Sequence, residues 1–220
     1  MQTHDSKLVQ MEALRALVAE KFPQSSRRQE GRLRIGCKAF DQKGGFLRGA
    51  VTEVCGSRAG GSLLLAAILE AAVRDGLFIG LIDAANSFEP PDWTEDHLRR
   101  ILWVMCDAAA PALRAADILL RDGNLPVIIL DLQMLPMPQL RRIPASTWHR
   151  FQRVIESTAT VLAVLTPQPL VEGAAARMAI HTGLTLETMH LPRTALWEPL
   201  DVQVFERGTA ALVEVFKKST

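Results

Sequence analysis

An α/β fold with a mostly parallel sheet covered by helices on both faces is what this sequence predicts. Three observations carry the expectation. Short, continuously apolar runs at 127–132 and 161–165 alternate with helical segments, the pattern of strands buried on both faces. A strand–glycine loop–helix unit, EVCGSRAGGSLLLAAI, opens the alternation. Hydrophobic residues make up 48% of the 220, enough for one sizeable core and an arm.

Charge and cysteine usage narrow the class. With 25 Lys+Arg against 24 Asp+Glu the chain is nearly neutral. That excludes a strongly basic nucleic-acid coat, so affinity for phosphate requires local patches. Cys37, Cys55 and Cys106 are odd in number and widely spaced. They form neither a disulfide framework nor a zinc cluster, and suit a reducing compartment. The longest apolar run, 63–73, is broken by Glu70 and is shorter than a bilayer span. The opening MQTHDSKLVQ is too polar for a signal peptide. His4, His97, His149, His181 and His190 lack an i+4 histidine or a nearby cysteine, so no metal site is expected.

Taken in order, residues 1–34 read as an amphipathic helix and a basic linker. Leu8, Met11, Leu14, Val18 and Phe22 recur at spacings of three and four. Asp5 or Ser6 caps the start and Pro23 follows the end. QSSRRQEGRLR is polar and aperiodic, hence the linker. The arm holds seven Lys/Arg and four acids. It either packs on its own core or docks on another chain. Residues 35–220 read as the core domain: a strand at 51–55, a glycine loop at 56–61, and a helix at 62–75. Strands are expected at 78–83 and, more weakly, at 101–105, then a helix at 107–121. A strand at 127–132 carries Asp131, a helix capped by Ser146 spans 146–157, and a strand spans 161–165. A short helix near 173–180 precedes strand-like segments at 184–191 and 202–206. Asp92, Glu95 and Asp96 suit a helix start near Thr94. Trp103 is expected in the core, and Trp93 and Trp197 in loops, where they either pack locally or anchor a partner. Cys55, ending the first strand, is expected to be buried and inert.

The glycine loop is the candidate site. A phosphate-binding loop needs glycines so that backbone N–H groups curl around the phosphates, a Lys to reach the outer ones, and a Ser/Thr for magnesium. Gly56 and Gly61 stand at the glycine positions of G-x-x-x-x-G, with Ser57, Arg58, Ala59 and Gly60 between them. The Lys position holds Ser62 and the Ser/Thr position holds Leu63. On its own this frame fits a glycine-rich turn better than a phosphate site.

The neighbouring segments add a family resemblance. LRIGCKAFDQKGGFLRGAVTEVCG resembles the lead-in of RecA-like proteins, through Ile35-Gly36, Phe40-Asp41, Gly44-Gly45-Phe46, Gly49 and the residues from Val51 to Val54. LFIGLIDAANSFEP is similar to the family's FIDAEHALDP segment, and the stretch ending at Asp131 resembles the approach to the Walker B strand. VLAVLTPQP stands where the family has its FINQ strand, and GAAARMAIHTGLTLETM resembles the final strand pairing. The likeness runs through most of residues 35–192 in the same order. It implies a RecA-like P-loop NTPase core.

The departures fall on chemical positions. Asp131 keeps the Walker B carboxylate, but Leu63 removes its magnesium-binding partner. The water-orienting Glu that follows Asp-Ala in the family is Ala85. The sensing pair is Thr166-Pro167, with Gln168 one place late. One lost electrostatic contact costs roughly 10² to 10³ in rate, so the resemblance implies a pseudo-ATPase with no ATP hydrolysis and no cofactor. Size, degenerate loop and basic helix together resemble the ImuA type, the RecA-like accessory proteins of bacterial error-prone translesion synthesis. That resemblance implies a cytoplasmic, nucleoid-associated scaffold in the SOS response. Its partners would be a polymerase-like mutasome subunit, RecA, or another copy of itself, met through Leu8, Met11, Leu14, Val18 and Phe22. Single-stranded DNA binding would be weak or indirect, through Arg27, Arg28, Arg32, Arg34, Arg141 and Arg142. The rivals are an active DNA-dependent ATPase using Arg58 as a substitute cation, a SulA-like cell-division inhibitor, and a bare DNA-binding protein.

Overall fold

The computed structural model describes residues 31–89, 93–191, 193–197 and 200–206. Strand β1 (Arg32–Leu33) and helix α1 (Lys38–Asp41) lead to β2 (Phe46–Leu47) and β3 (Ala50–Gly56). Then follow α2 (Arg58–Asp75), β4 (Ile79–Asp83), α3 (Glu95–Leu98), β5 (Ile101–Met105), α4 (Ala109–Asp122) and β6 (Val127–Asp131). The chain continues through α5 (Met137–Leu140), α6 (Ala145–Ile155), β7 (Val161–Thr166) and β8 (Ala176–Thr182). Two 3₁₀ turns, Leu186–His190 and Arg193–Trp197, precede β9 (Leu200–Glu206). Seven strands form one sheet in the order β5-β4-β6-β7-β3-β8-β9, and β1 pairs with β2 apart from it. Every neighbouring pair in the large sheet is parallel except β8 with β9.

Alternation along the strands builds two apolar layers. Val54, Ile79, Leu81, Val127, Ile129, Val161, Ala163 and Leu165 join the cluster that contains α2. Ile82, Ile128, Leu130, Leu162 and Val164 join the cluster that contains α4 and α6. Helices therefore cover both faces, and the strands read as continuous apolar runs for that reason. Helix α2 is apolar almost all round, from Leu64 to Ala72, because Phe88, Trp93, Leu196 and Trp197 pack against the same cluster. Helix α4 buries Ala112, Ala116 and Leu120, while α6 buries Trp148, Phe151 and Ile155. Asp117 of α4 pairs with Arg121 at 2.9 Å and with Arg150 of α6 at 3.0 Å, joining the two helices. Each large apolar side chain buried this way contributes about 1.5–3 kcal/mol. No helix among the described residues is long and apolar enough to cross a membrane.

Away from the glycine loop, four elements differ from the sequence expectation. Residues 176–182 form strand β8, not a helix over 173–180. Pairing to β3 on one side and β9 on the other overrides the helix propensity of an alanine-rich stretch. Residues 186–190 form a 3₁₀ turn, not a strand, closed by a reciprocal Thr185–Thr188 capping box. Helix α6 starts at Ala145 behind Pro144, so Ser146 lies inside it and is not its cap. Leu33, placed in the linker by its polar neighbours, is buried, and β1 pairs with β2.

Candidate functional site

The carboxyl ends of β3, β4 and β6 set the geometry, beginning with the junction of β3 and α2. Only Ser57 separates the two elements. Its hydroxyl accepts the Gly60 N–H at 3.3 Å and its carbonyl accepts the Gly61 N–H at 3.1 Å. Arg58, Ala59, Gly60, Gly61, Ser62 and Leu63 are all helical, whereas the spacing predicted an open loop as far as Gly61. Serine at the N-cap is the local cause.

Each glycine of the frame has a packing reason. A Cβ on Gly56 would lie 2.5 Å from the Ile180 carbonyl oxygen. One on Gly60 would lie 2.8 Å from Ile180 Cγ2, and one on Gly61 2.0 Å from Gln133 Oε1. Ser62, at the lysine position, is exposed, and Leu63, at the magnesium-ligand position, is buried in the core. The residues at this junction do not match the needs of a magnesium nucleotide. The hydroxyl position is a buried alkyl group, and the Gly60 and Gly61 N–H groups bond within the turn.

Two carboxylates stand side by side at the sheet's edge of the site, because Asp83 and Asp131 are register partners across β4 and β6. Asp83 Oδ1 accepts the N–H of Ala85 at 3.3 Å and of Ser87 at 2.9 Å, and the Ser87 hydroxyl at 3.4 Å. Its Oδ2 accepts the Phe88 N–H at 2.8 Å. Asp83 thus holds the turn that carries Ala85 and Asn86, the latter at a φ of 50°. Asp131 Oδ1 accepts the Gln133 N–H at 3.0 Å. Burial pushes the Asp131 carboxyl up to about 6. The Gln133 N–H opposes the rise, Asp83 adds to it, and Arg58 lowers it. Arg58 itself donates to the Ser87 carbonyl at 3.4 Å.

Sequence reasoning missed two residues here. Gln133 is one: its Nε2 donates to the carbonyls of Gly56 and Ser57 at 3.3 and 3.4 Å. Nothing in the local sequence signals that contact, since it crosses 77 residues. Glu53 is the other, and a fully buried charge inside an apolar strand is a signal that the sequence does carry. Its Oε1 accepts the Thr166 hydroxyl at 3.0 Å and the N–H groups of Leu170 and Val171 at 2.6 and 2.9 Å. Its Oε2 pairs with Arg177, whose Nη2 reaches the Val171 carbonyl at 2.9 Å. Thr166, at the sensing position, is therefore turned into the core, and the segment after β7 is pinned to β3.

The remaining expected residues are spread out. Arg141 and Arg142 are exposed behind α5, while Arg32 lies in the separate two-stranded sheet and Arg34 is exposed beyond it. Arg27, Arg28 and the stripe of Leu8, Met11, Leu14, Val18 and Phe22 lie outside the described residues. Cys55 is buried and its thiol is within 3.3 Å of the Thr166 hydroxyl.

No known family profile matches the chain, and no curated protein matches it. Among solved structures, the RadB recombinase is similar, with a TM-score of 0.55 and 16% sequence identity. The match covers 70% of this chain and 84% of that one. At that identity the likeness establishes the fold, which is RecA-like: a mostly parallel seven-stranded sheet flanked by helices.

Proposed function

We propose that this chain is a RecA-fold accessory protein of the ImuA type, a pseudo-ATPase that works by protein contacts in the DNA-damage response and supports error-prone translesion synthesis. Its partners on this reading are a polymerase-like mutasome subunit, RecA, or a second copy, and its contact with single-stranded DNA is weak or indirect. The observation that carries the reading is the β3–α2 junction. Residues 58–61 are helical, with the Gly60 and Gly61 N–H groups bonded to Ser57. A phosphate cradle requires such groups to be free and turned outward. Ser62, Leu63, Ala85 and the inward-turned Thr166 support the same conclusion from separate elements. Four chemical functions change together, and each electrostatic contact is worth roughly 10² to 10³ in rate.

The test is calorimetry with ATP and magnesium on the full-length chain, with turnover measured with and without single-stranded DNA. Neither binding in the micromolar range nor stimulated hydrolysis is expected. Micromolar binding with DNA-stimulated hydrolysis would overturn the reading in favour of an active ATPase.

A further inference from the structure

We infer that Gln133 is an internal latch on the β3–α2 junction, its carboxamide occupying the space over Gly61 and holding residues 58–61 as helix. The inference rests on the silent-site reading and adds its physical cause: the junction is closed by one of the chain's own side chains. Three observations support it. First, the carboxamide lies so close to Gly61 that a Cβ there would meet Oε1 at 2.0 Å, Cδ at 2.7 Å and Nε2 at 2.8 Å. Second, Nε2 reaches both carbonyls that lead into the helix, Gly56 and Ser57. Third, the backbone that carries the side chain is anchored to the sheet. Gln133 N–H donates to Asp131 Oδ1 at 3.0 Å, and the buried Leu132 donates its N–H to the Leu165 carbonyl at 3.0 Å.

An anion at a strand-to-helix turn needs space above it and N–H groups facing that space. Here a neutral amide fills the space. It donates to the turn's carbonyls and so favours the closed, helical arrangement. The latch ties the junction to the segment running from Asp131 to the exposed Arg141 and Arg142. A movement of that segment would withdraw the carboxamide from Gly61.

A thermal double-mutant cycle on the full-length chain tests this without any nucleotide. Gly61→Ala improves helix propensity but must displace the Gln133 carboxamide, whereas in a Gln133→Ala background it only improves propensity. The latch predicts that Gly61→Ala raises Tm more in the Gln133→Ala background than in the wild type, by about 2–4 °C. An equal shift in both backgrounds would overturn it. Hydrogen exchange gives a second reading. Gln133→Ala should speed exchange at the Gly60 and Gly61 amides about tenfold and leave β6 and β7 unchanged. Unchanged exchange at both glycines would also overturn the latch. Binding of ATP with magnesium by the wild-type protein would sink the silent-site reading alone, because neither of these measurements uses nucleotide.

Discussion

Replacing Asp131 by asparagine should stabilise the fold at neutral pH. The Asp131 carboxyl ends β6 in a half-buried position, and desolvation is the largest cause raising its pKa from the ordinary 3.8 to about 6. Between those two values the folded chain binds more protons at this site than the unfolded chain does. Stability therefore falls as pH rises through that window, and the deficit persists above it. A span of about two units at roughly 1.4 kcal/mol each amounts to about 3 kcal/mol at pH 7. Asparagine removes the charge and keeps an oxygen to accept the Gln133 N–H, now at 3.0 Å. The assay is urea denaturation of wild type and Asp131→Asn at pH 4, 5, 6 and 7 in chelator. The expected gap is near zero at pH 4 and grows to about 2–3 kcal/mol in favour of the variant by pH 7. A variant less stable than wild type at pH 7, or a gap that does not change with pH, would refute the reasoning.

Two other perturbations probe the same end of the sheet. Glu53→Gln removes the charge opposite Arg177 and replaces one carboxylate oxygen with an N–H group that cannot accept. Breaking a buried pair of this kind costs about 3–5 kcal/mol, and a loss below about 1 kcal/mol in denaturation would show that the network does not hold the segment after β7. Burial, and then Glu53, raise the Cys55 thiol far above its ordinary range, and burial also raises Cys37 and the less buried Cys106. In iodoacetamide labelling of the native protein, Cys106 should react first and Cys55 only at the rate of opening. Early modification of Cys55 would mean that the end of β3 is open.

The parts legible in the sequence were those fixed by burial on both faces. Strands β4, β6 and β7 are short apolar runs because helices lie above and below them, and no local competitor mimics that pattern. Local propensity misread strand β8, because GAAARMAI favours a helix in isolation and only its neighbours β3 and β9 make it a strand; the family resemblance alone marked that stretch as a strand pairing. The start of α2 was hidden for a related reason. Two adjacent glycines argue against helix locally, yet Ser57 caps the turn and Gln133, distant in sequence, packs over it. The chemical departures at Ser62, Leu63 and Ala85 were legible throughout, since they are side-chain identities and need no geometry.

Glycine spacing and side-chain chemistry therefore report on different things in this chain. Gly56 is required by the Ile180 carbonyl, Gly60 by the Ile180 side chain and Gly61 by the Gln133 carboxamide. All three requirements come from the packing of β8 and of the segment after β6 against the junction. A G-x-x-x-x-G frame between a strand and a helix is thus evidence for close packing at the edge of a RecA-like sheet. Evidence for nucleotide chemistry has to come from the residues that would carry charge and bind magnesium. At those positions this chain places an exposed serine and a buried leucine. What remains of the site's charge is the Asp83–Asp131 pair and Arg58 beside it. Asp83 is bonded into its own turn, and Asp131 carries a charge that burial disfavours. A site whose carboxylates serve turns and whose amides serve a helix cap is built for rigidity.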